Sequence, residues 1–371
     1  MTGPLQLPQR IARLAPLADV LAAIDAKVAP VGMREIATAS APGRVLAADA
    51  GVSSSMPAQA TALRDGFAVR SDWTLDASSY APALLPHLPA RVDAGEALPA
   101  DTDAVAPFDT VEIDGGRAQM TMTLSPGDGV LPAGADAETG RALCHAGDTL
   151  QATDIGVLIA LGIAQVSVRA PRIRLTQAHD SAMISAGMHA LAVAIEAAGG
   201  EVVRDDLGLE RALQDIQADA AICVGGTGSG RRDRAVTTLA ALGHVAFHGI
   251  GISPGETTAF GFAGNRPVLL LPARLDAALA GWLLVGLPLL ARLSGATEPG
   301  SHARGLLSRK LSSAIGLAEA VLVRRDGERV EPLASGYWPL HALARADGWI
   351  LVPASSEGCP AGTSVDVRPL P

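Results

Sequence analysis

The sequence is short of several things, and each shortage narrows what the protein is. Aromatic residues make up only 3% of the 371 positions. Cysteine occurs three times, at Cys144, Cys223 and Cys359, scattered and without a C-x-x-C pair. That spacing suggests neither a zinc site nor a disulfide framework, and a reducing cytoplasm fits it. There is no excess of positive charge. The formal net charge is −9, which argues against a sequence-independent nucleic-acid binder. A phosphorylated ligand stays open, because one local loop can hold it. The most apolar run, Trp282 to Leu290, is too short to span a bilayer and contains Pro288, so it reads as one side of a buried helix. The first residues mix Gln, Pro and Arg with no apolar stretch, so no signal peptide is expected.

What is present is Ala, Gly and Pro, in a chain long enough for about two to four domains with real cores. Leu17, Val20, Leu21, Ile24 and Val28 recur at helical spacing and predict an amphipathic helix. From Gly51 to about Met122, short apolar runs alternate with Pro, Gly and Asp. Val111-Glu112-Ile113-Asp114-Gly115-Gly116-Arg117 is a hairpin signal there. This segment reads as a mostly β insertion, residues 51–122, that splits a first domain into 1–50 and 123–170. From Arg172 strands and helices alternate, which predicts a doubly wound α/β domain over 171–296 with ligands at the strand C-terminal ends. Beyond a Gly/Ser/Pro-rich linker, residues 301–371 read as a small β-domain.

The most informative stretch is Ala220-Ala221-Ile222-Cys223-Val224 running into Gly225-Gly226-Thr227-Gly228-Ser229-Gly230-Arg231-Arg232-Asp233. An apolar strand stops at four glycines in six positions, and a helix-permissive segment follows. That layout offers backbone N–H groups to an anion at a helix N-terminus. Asp233 stands at the helix mouth, where it can cap free N–H groups or hold a divalent cation. The spacing is neither a P-loop nor a first-strand Rossmann fingerprint. Taken alone, the loop also leaves open a plain glycine-rich turn with an N-cap.

Gly-Gly-Thr-Gly-x-x-x-Arg-Asp resembles the pterin-binding loop of small molybdopterin adenylyltransferases. Other segments are similar to their relatives, the molybdenum insertases of MoeA and gephyrin E-domain type. Thr61-Ala62-Leu63-Arg64-Asp65-Gly66-Phe67-Ala68-Val69 resembles the insertase Ser-Ala-Met-Asp-Gly-Tyr-Ala-Val. Val92-Asp93-Ala94-Gly95, then Leu98 to Val105, resembles Ala-Gly…Leu-Pro-x-Gly-x-Asp-Ala-Val. Ile252-Ser253-Pro254-Gly255-Glu256 and Leu270-Leu271-Pro272 resemble Lys-Pro-Gly-Lys and Leu-Pro-Gly-Asn-Pro. The matches come in family order over most of the chain.

The resemblance implies an elongated homodimer that inserts molybdate into adenylylated molybdopterin with Mg²⁺. A molybdopterin adenylyltransferase or a molybdoenzyme would be its partner. In that reading Gly225, Gly226, Thr227, Gly228, Ser229, Gly230, Arg231 and Arg232 hold the pterin phosphate, with Ser253, Pro254, Gly255 and Pro272 beside them. Asp233 with Asp205 or Asp206 holds the cation. Asp65 acts across the dimer, and Asp136, in a Gly-Glu-Asp-Ile-like element, joins the catalytic set. Three departures set this chain apart. Ser253 and Glu256 replace lysines, and His248-Gly249 stands where a further lysine is usual. Thr176-Gln177-Ala178-His179-Asp180 replaces Thr-Gly-Asp-Glu-Leu, and Ala273-Arg274-Leu275 replaces Gly-Asn-Pro. Arg231, Arg232, Arg234 and Arg274 are the candidate replacement cations, since guanidinium pairs with phosphate bidentately. A binding or carrier protein that has lost the insertase lysines is the alternative.

Overall fold

The computed structural model describes residues 9–204, 208–297 and 303–371. The chain forms two compact units. One gathers the residues up to Ala48, Ala146–Ala152 and everything from Gln165 onward; the other gathers Asp49–His145 and Thr153–Ala164.

The second unit is built of short antiparallel strands. Gly66–Val69 lies between Ala90–Val92 and Ala104–Ala106. Val111–Asp114 and Arg117–Met120 form the hairpin that the turn residues predict, and Ala83–Leu84 joins its far side. Val69, Leu85, Ala104, Ala106, Met120 and Leu124 fill one small core of this unit. Strands this short carry little stability of their own and rely on that packing.

In the first unit, the helix Leu17–Lys27 turns Val20 and Ile24 inward, as its spacing predicts. Behind it lies a six-stranded sheet in the order Glu201–Val203, Arg172–Gln177, Ala220–Val224, Arg266–Leu271, Ala259–Ala263, His244–His248. The first four strands are parallel. All five residues of Ala220–Val224 are buried, the mark of a parallel strand covered on both faces. The last two strands form an antiparallel hairpin edge that the alternation of elements does not announce. His244–His248 mixes polar and apolar residues, and its register breaks between Val245 and Phe247, so no clean period of two marks it.

The closing helix is longer than the apolar run suggests. Leu275–Gly281, a π turn over Trp282–Gly286, and Leu287–Ser294 follow without a break. Pro288 has no N–H to give to an α-helical partner four residues back, and the π turn lies where that bond would fall. The helix is long and apolar enough to cross a membrane, yet most of it is buried inside this unit.

The C-terminal residues close a barrel. Ala318–Asp326 pairs on one side with Arg329–Ala334 and on the other with Gly348–Val352, and Ala303–Leu307 and Ser364–Pro369 complete the ring. Ile252–Ser253 adds to it in parallel, against Ala318 and Glu319. Three of the four tryptophans, Trp282, Trp338 and Trp349, are fully buried in one core that spans the doubly wound sheet and the barrel.

Candidate functional site

The glycine loop leaves the C-terminal end of Ala220–Val224, the edge at which doubly wound sheets bind ligands. Its start is pinned: the Gly225 N–H donates to the Leu271 carbonyl at 2.8 Å, which sets the loop beside the Pro272 segment. Gly225 and Gly226 both lie at positive φ, +92° and +77°. At Gly226 a Cβ would also stand 2.8 Å from the Ala178 Cβ and 2.9 Å from the Ala235 Cβ. Only glycine meets both demands.

The rest of the loop folds around Asp233. Its Oδ2 accepts the Gly230 N–H at 2.6 Å, and its own N–H donates to the Gly230 carbonyl at 3.0 Å. A Cβ on Gly228 or Gly230 would fall 2.8 or 2.9 Å from that same Oδ2. The carboxylate therefore fills the space the two glycines leave. It braces the loop; it does not cap the helix Ala235–Leu242, the other role open to it at the helix mouth. Gly225, Gly226 and Thr227 are buried, and Ser229, Gly230, Arg231 and Arg232 are exposed. Arg231, Arg232 and Arg234 have no ion-pair or hydrogen-bonding partner for their side chains among the described residues. Three guanidinium groups without a partner among the described residues thus follow directly on a loop whose Gly228 and Ser229 N–H groups are also unpaired among those residues.

The residues flanking the Ser253–Glu256 segment meet this loop. The buried Thr227 hydroxyl is 2.9 Å from that of Thr257, and His248 Nε2 is 2.9 Å from the Thr227 carbonyl. Ser253, Pro254 and Gly255 are buried, and the Ser253–Pro254 peptide is cis. Glu256 turns back on its own turn, its Oε2 accepting the Gly255 N–H at 3.3 Å. On the far side of Pro272, the Arg274 guanidinium lies 4.7 Å over the Tyr337 ring and bonds the buried Asp276 at 3.1 Å. Tyr337 first and Asp276 second hold the Arg274 side chain above its ordinary pKa.

The remaining candidates sit elsewhere. Asp65 is exposed in the second unit, its Oδ1 accepting the Ala94 N–H at 2.8 Å. Asp136 is exposed on a turn of the same unit, its backbone N–H held by Met56. Asp205 and Asp206 lie outside the described residues. Among the described residues no group of three His, Cys, Asp or Glu side chains is placed to hold a metal ion.

One residue that the motifs did not point to is part of the loop. Gln9, 8% exposed, donates from Nε2 to the Gly226 carbonyl at 3.0 Å and the Gly228 carbonyl at 2.8 Å. Its Oε1 accepts the Thr237 N–H at 3.0 Å. More than 200 residues separate these partners, so no local pattern could have marked it.

Three family matches follow one another along the chain. Residues 15–162 match the MoeA N-terminal region (domain I and II), 174–292 a probable molybdopterin binding domain, and 304–370 the MoeA C-terminal region (domain IV). Molybdopterin molybdenumtransferase 2 of Mycobacterium tuberculosis is 25% identical over 376 residues, covering 88% of this chain and 92% of its own. Molybdopterin molybdenumtransferase of Haemophilus influenzae is 24% identical over 311 residues, covering 75% and 76%. A crystal structure of a MoeA protein of Pyrococcus horikoshii superposes with a TM-score of 0.74 at 26% identity, over 97% of this chain and all of the other. With the loop, the strand order and the closing barrel in place, these matches assign the chain to the MoeA family of molybdenum cofactor biosynthesis.

Proposed function

We propose that the protein inserts molybdate into the dithiolene of adenylylated molybdopterin, with release of AMP. The observation that carries this reading is the glycine loop at the sheet edge, braced by Asp233 and followed by three exposed arginines without a partner among the described residues. In such a reaction the protein's part is positioning and charge offset, and no side-chain nucleophile is required. The unpaired N–H groups of Gly228 and Ser229 would bind the pterin phosphate. Arg231, Arg232 and Arg234 would offset its charge, taking the place of the family lysines that Ser253 and Glu256 replace. Ser253, Pro254, Gly255 and Pro272 would shape the floor beside it. Asp65, from a second copy in a homodimer, and Asp136 would complete the site.

Asp233 fits one part of a Mg²⁺ site. One of its oxygens is committed to Gly230, and Oδ1 has no partner among the described residues. Mg²⁺ is commonly held by one or two carboxylates together with substrate phosphate. Asp205 or Asp206 would supply the second. When bound, the ion would neutralise phosphate charge beside the loop.

A second reading is favoured by the absence of lysine at Ser253 and Glu256: a carrier that binds molybdopterin or finished cofactor without inserting metal. Purified protein given adenylylated molybdopterin, molybdate and Mg²⁺ separates the two. Insertion predicts molybdenum cofactor and AMP as products. Asp233→Asn should then cut turnover by orders of magnitude while pterin binding changes little, because the N–H groups of Gly228 and Ser229 remain. Binding by the wild type with no AMP released would leave only the carrier.

A further inference from the structure

We infer that Gln9 is a positioning residue of the glycine loop, tying it to the first turn of the helix so that the outer turn Gly228–Arg232 is held ready for the ligand's phosphate. The inference rests on the proposed molybdopterin site and adds to it where the anion sits and what holds the loop ready.

The argument starts from the helix Ala235–Leu242. A helix start leaves N–H groups without intrahelical partners, and these commonly receive an anion. Here two are already taken. The Ala235 N–H donates to the Gly226 carbonyl at 3.0 Å, and the Thr237 N–H donates to Gln9 Oε1 at 3.0 Å. No side chain of the helix's own flank provides a cap. A neutral amide oxygen thus takes one of the N–H groups that an anion would otherwise meet, and of the first three only that of Val236 has no partner among the described residues. The loop N–H groups still unpaired among the described residues at Gly228, Ser229, Arg231 and Arg232 lie outside that point, on the exposed turn that carries the arginines.

The other half of the Gln9 amide does different work. Its Nε2 bonds two carbonyls of the loop, Gly226 and Gly228, two residues apart. A glycine-rich segment has many accessible conformations, and a ligand that must freeze it loses affinity. Two bonds to the loop and one to the helix, from one nearly buried side chain, fix the loop before ligand arrives. The segment that carries Gln9 is itself held down. Ala15 donates to the Gly249 carbonyl at 2.9 Å and accepts the Gly251 N–H at 2.7 Å.

Two variants of the full-length protein test this. Gln9→Met keeps the side-chain volume and removes all three bonds. Gln9→Glu keeps an oxygen for Thr237, loses both donors and sets a carboxylate against two carbonyls. The readouts are calorimetric affinity for molybdopterin, hydrogen exchange at Gly228 to Thr237, and the melting temperature. Gln9→Met should weaken binding about tenfold and speed exchange across the loop by a similar factor, with the melting temperature within a few degrees of the wild type. Gln9→Glu should weaken binding further, and the gap between the two variants should narrow as salt rises. Unchanged affinity and unchanged loop exchange in folded Gln9→Met overturn the inference, even where melting falls, because a bystander that only adds stability behaves that way. If wild-type protein fails to bind molybdopterin, the proposed function fails, and loop exchange in Gln9→Met still decides whether Gln9 holds the loop.

Discussion

Asp215 shows how much one side chain settles. It accepts the Arg174 Nε at 2.8 Å and also pairs with Arg174 Nη2, the two side chains being 11% and 5% exposed. Burial works to raise this carboxyl. The Gln217 N–H, Arg174 and Arg266 outweigh it and hold the group below its ordinary value of 3.8. A lowered folded value means the pair stabilises the fold above that ordinary value, and the stabilisation is lost as pH falls through the folded one. Asp215→Asn should cost about 3 kcal/mol at neutral pH, since removing one partner of a buried pair leaves the other charge poorly compensated. Urea denaturation at pH 7 and again near pH 2 checks it: the difference between variant and wild type should shrink at the lower pH. An equal loss at both would mean the carboxylate charge plays no part.

Among the elements, the central strand Gly66–Val69 leaves no room for a side chain at its first residue. A Cβ on Gly66 would lie 2.2 Å from the Ala106 carbonyl oxygen and 2.9 Å from Val105 Cγ1. The first of these is backbone and cannot rotate away. Gly66→Ala should therefore destabilise the protein by about 2–3 kcal/mol, within the range for overpacking, and thermal melting will show whether the neighbouring strand parts so easily that it costs nothing. The same strand explains what was legible from sequence. Asp65-Gly66 is a pair that motif and composition both mark, and the Ala220–Val224 strand with its glycines announces itself by an apolar run and its punctuation. Strands such as His244–His248 did not, because a broken register leaves no regular period. Nor did Gln9, whose partners are brought near only by the fold. The carboxylate of Asp233 was legible as a residue of the loop, but its aim at Gly230 was not, since spacing along a chain does not fix which N–H a short acid meets.

In the molecule as a whole, the doubly wound sheet and the barrel share one core. Trp338, 1% exposed, packs in it, its ring N–H donating to the Ala320 carbonyl at 3.2 Å and its backbone N–H to Asp276 at 3.3 Å. Trp338→Ala should cost about 4 kcal/mol, and calorimetry should show the loss in the same transition that melts the sheet. A separate, earlier transition for residues 303–371 would mean that the two fold independently. The small C-terminal β-domain was readable from the linker before it and its turn residues; this sharing was not, because a common core is a property of packed surfaces.

The short parallel pairing of Ile252–Ser253 with Ala318–Glu319 has a consequence for energy flow between distant parts. Five residues beyond Ile252, Thr257 meets the buried Thr227 of the glycine loop. Barrel, turn and loop thus touch in series, and any coupling carried along such a series is reciprocal. A ligand that binds more tightly when the barrel edge is paired must strengthen that pairing by the same factor, and a variant loosened at Ile252–Ser253 should then bind ligand less tightly, which calorimetry checks.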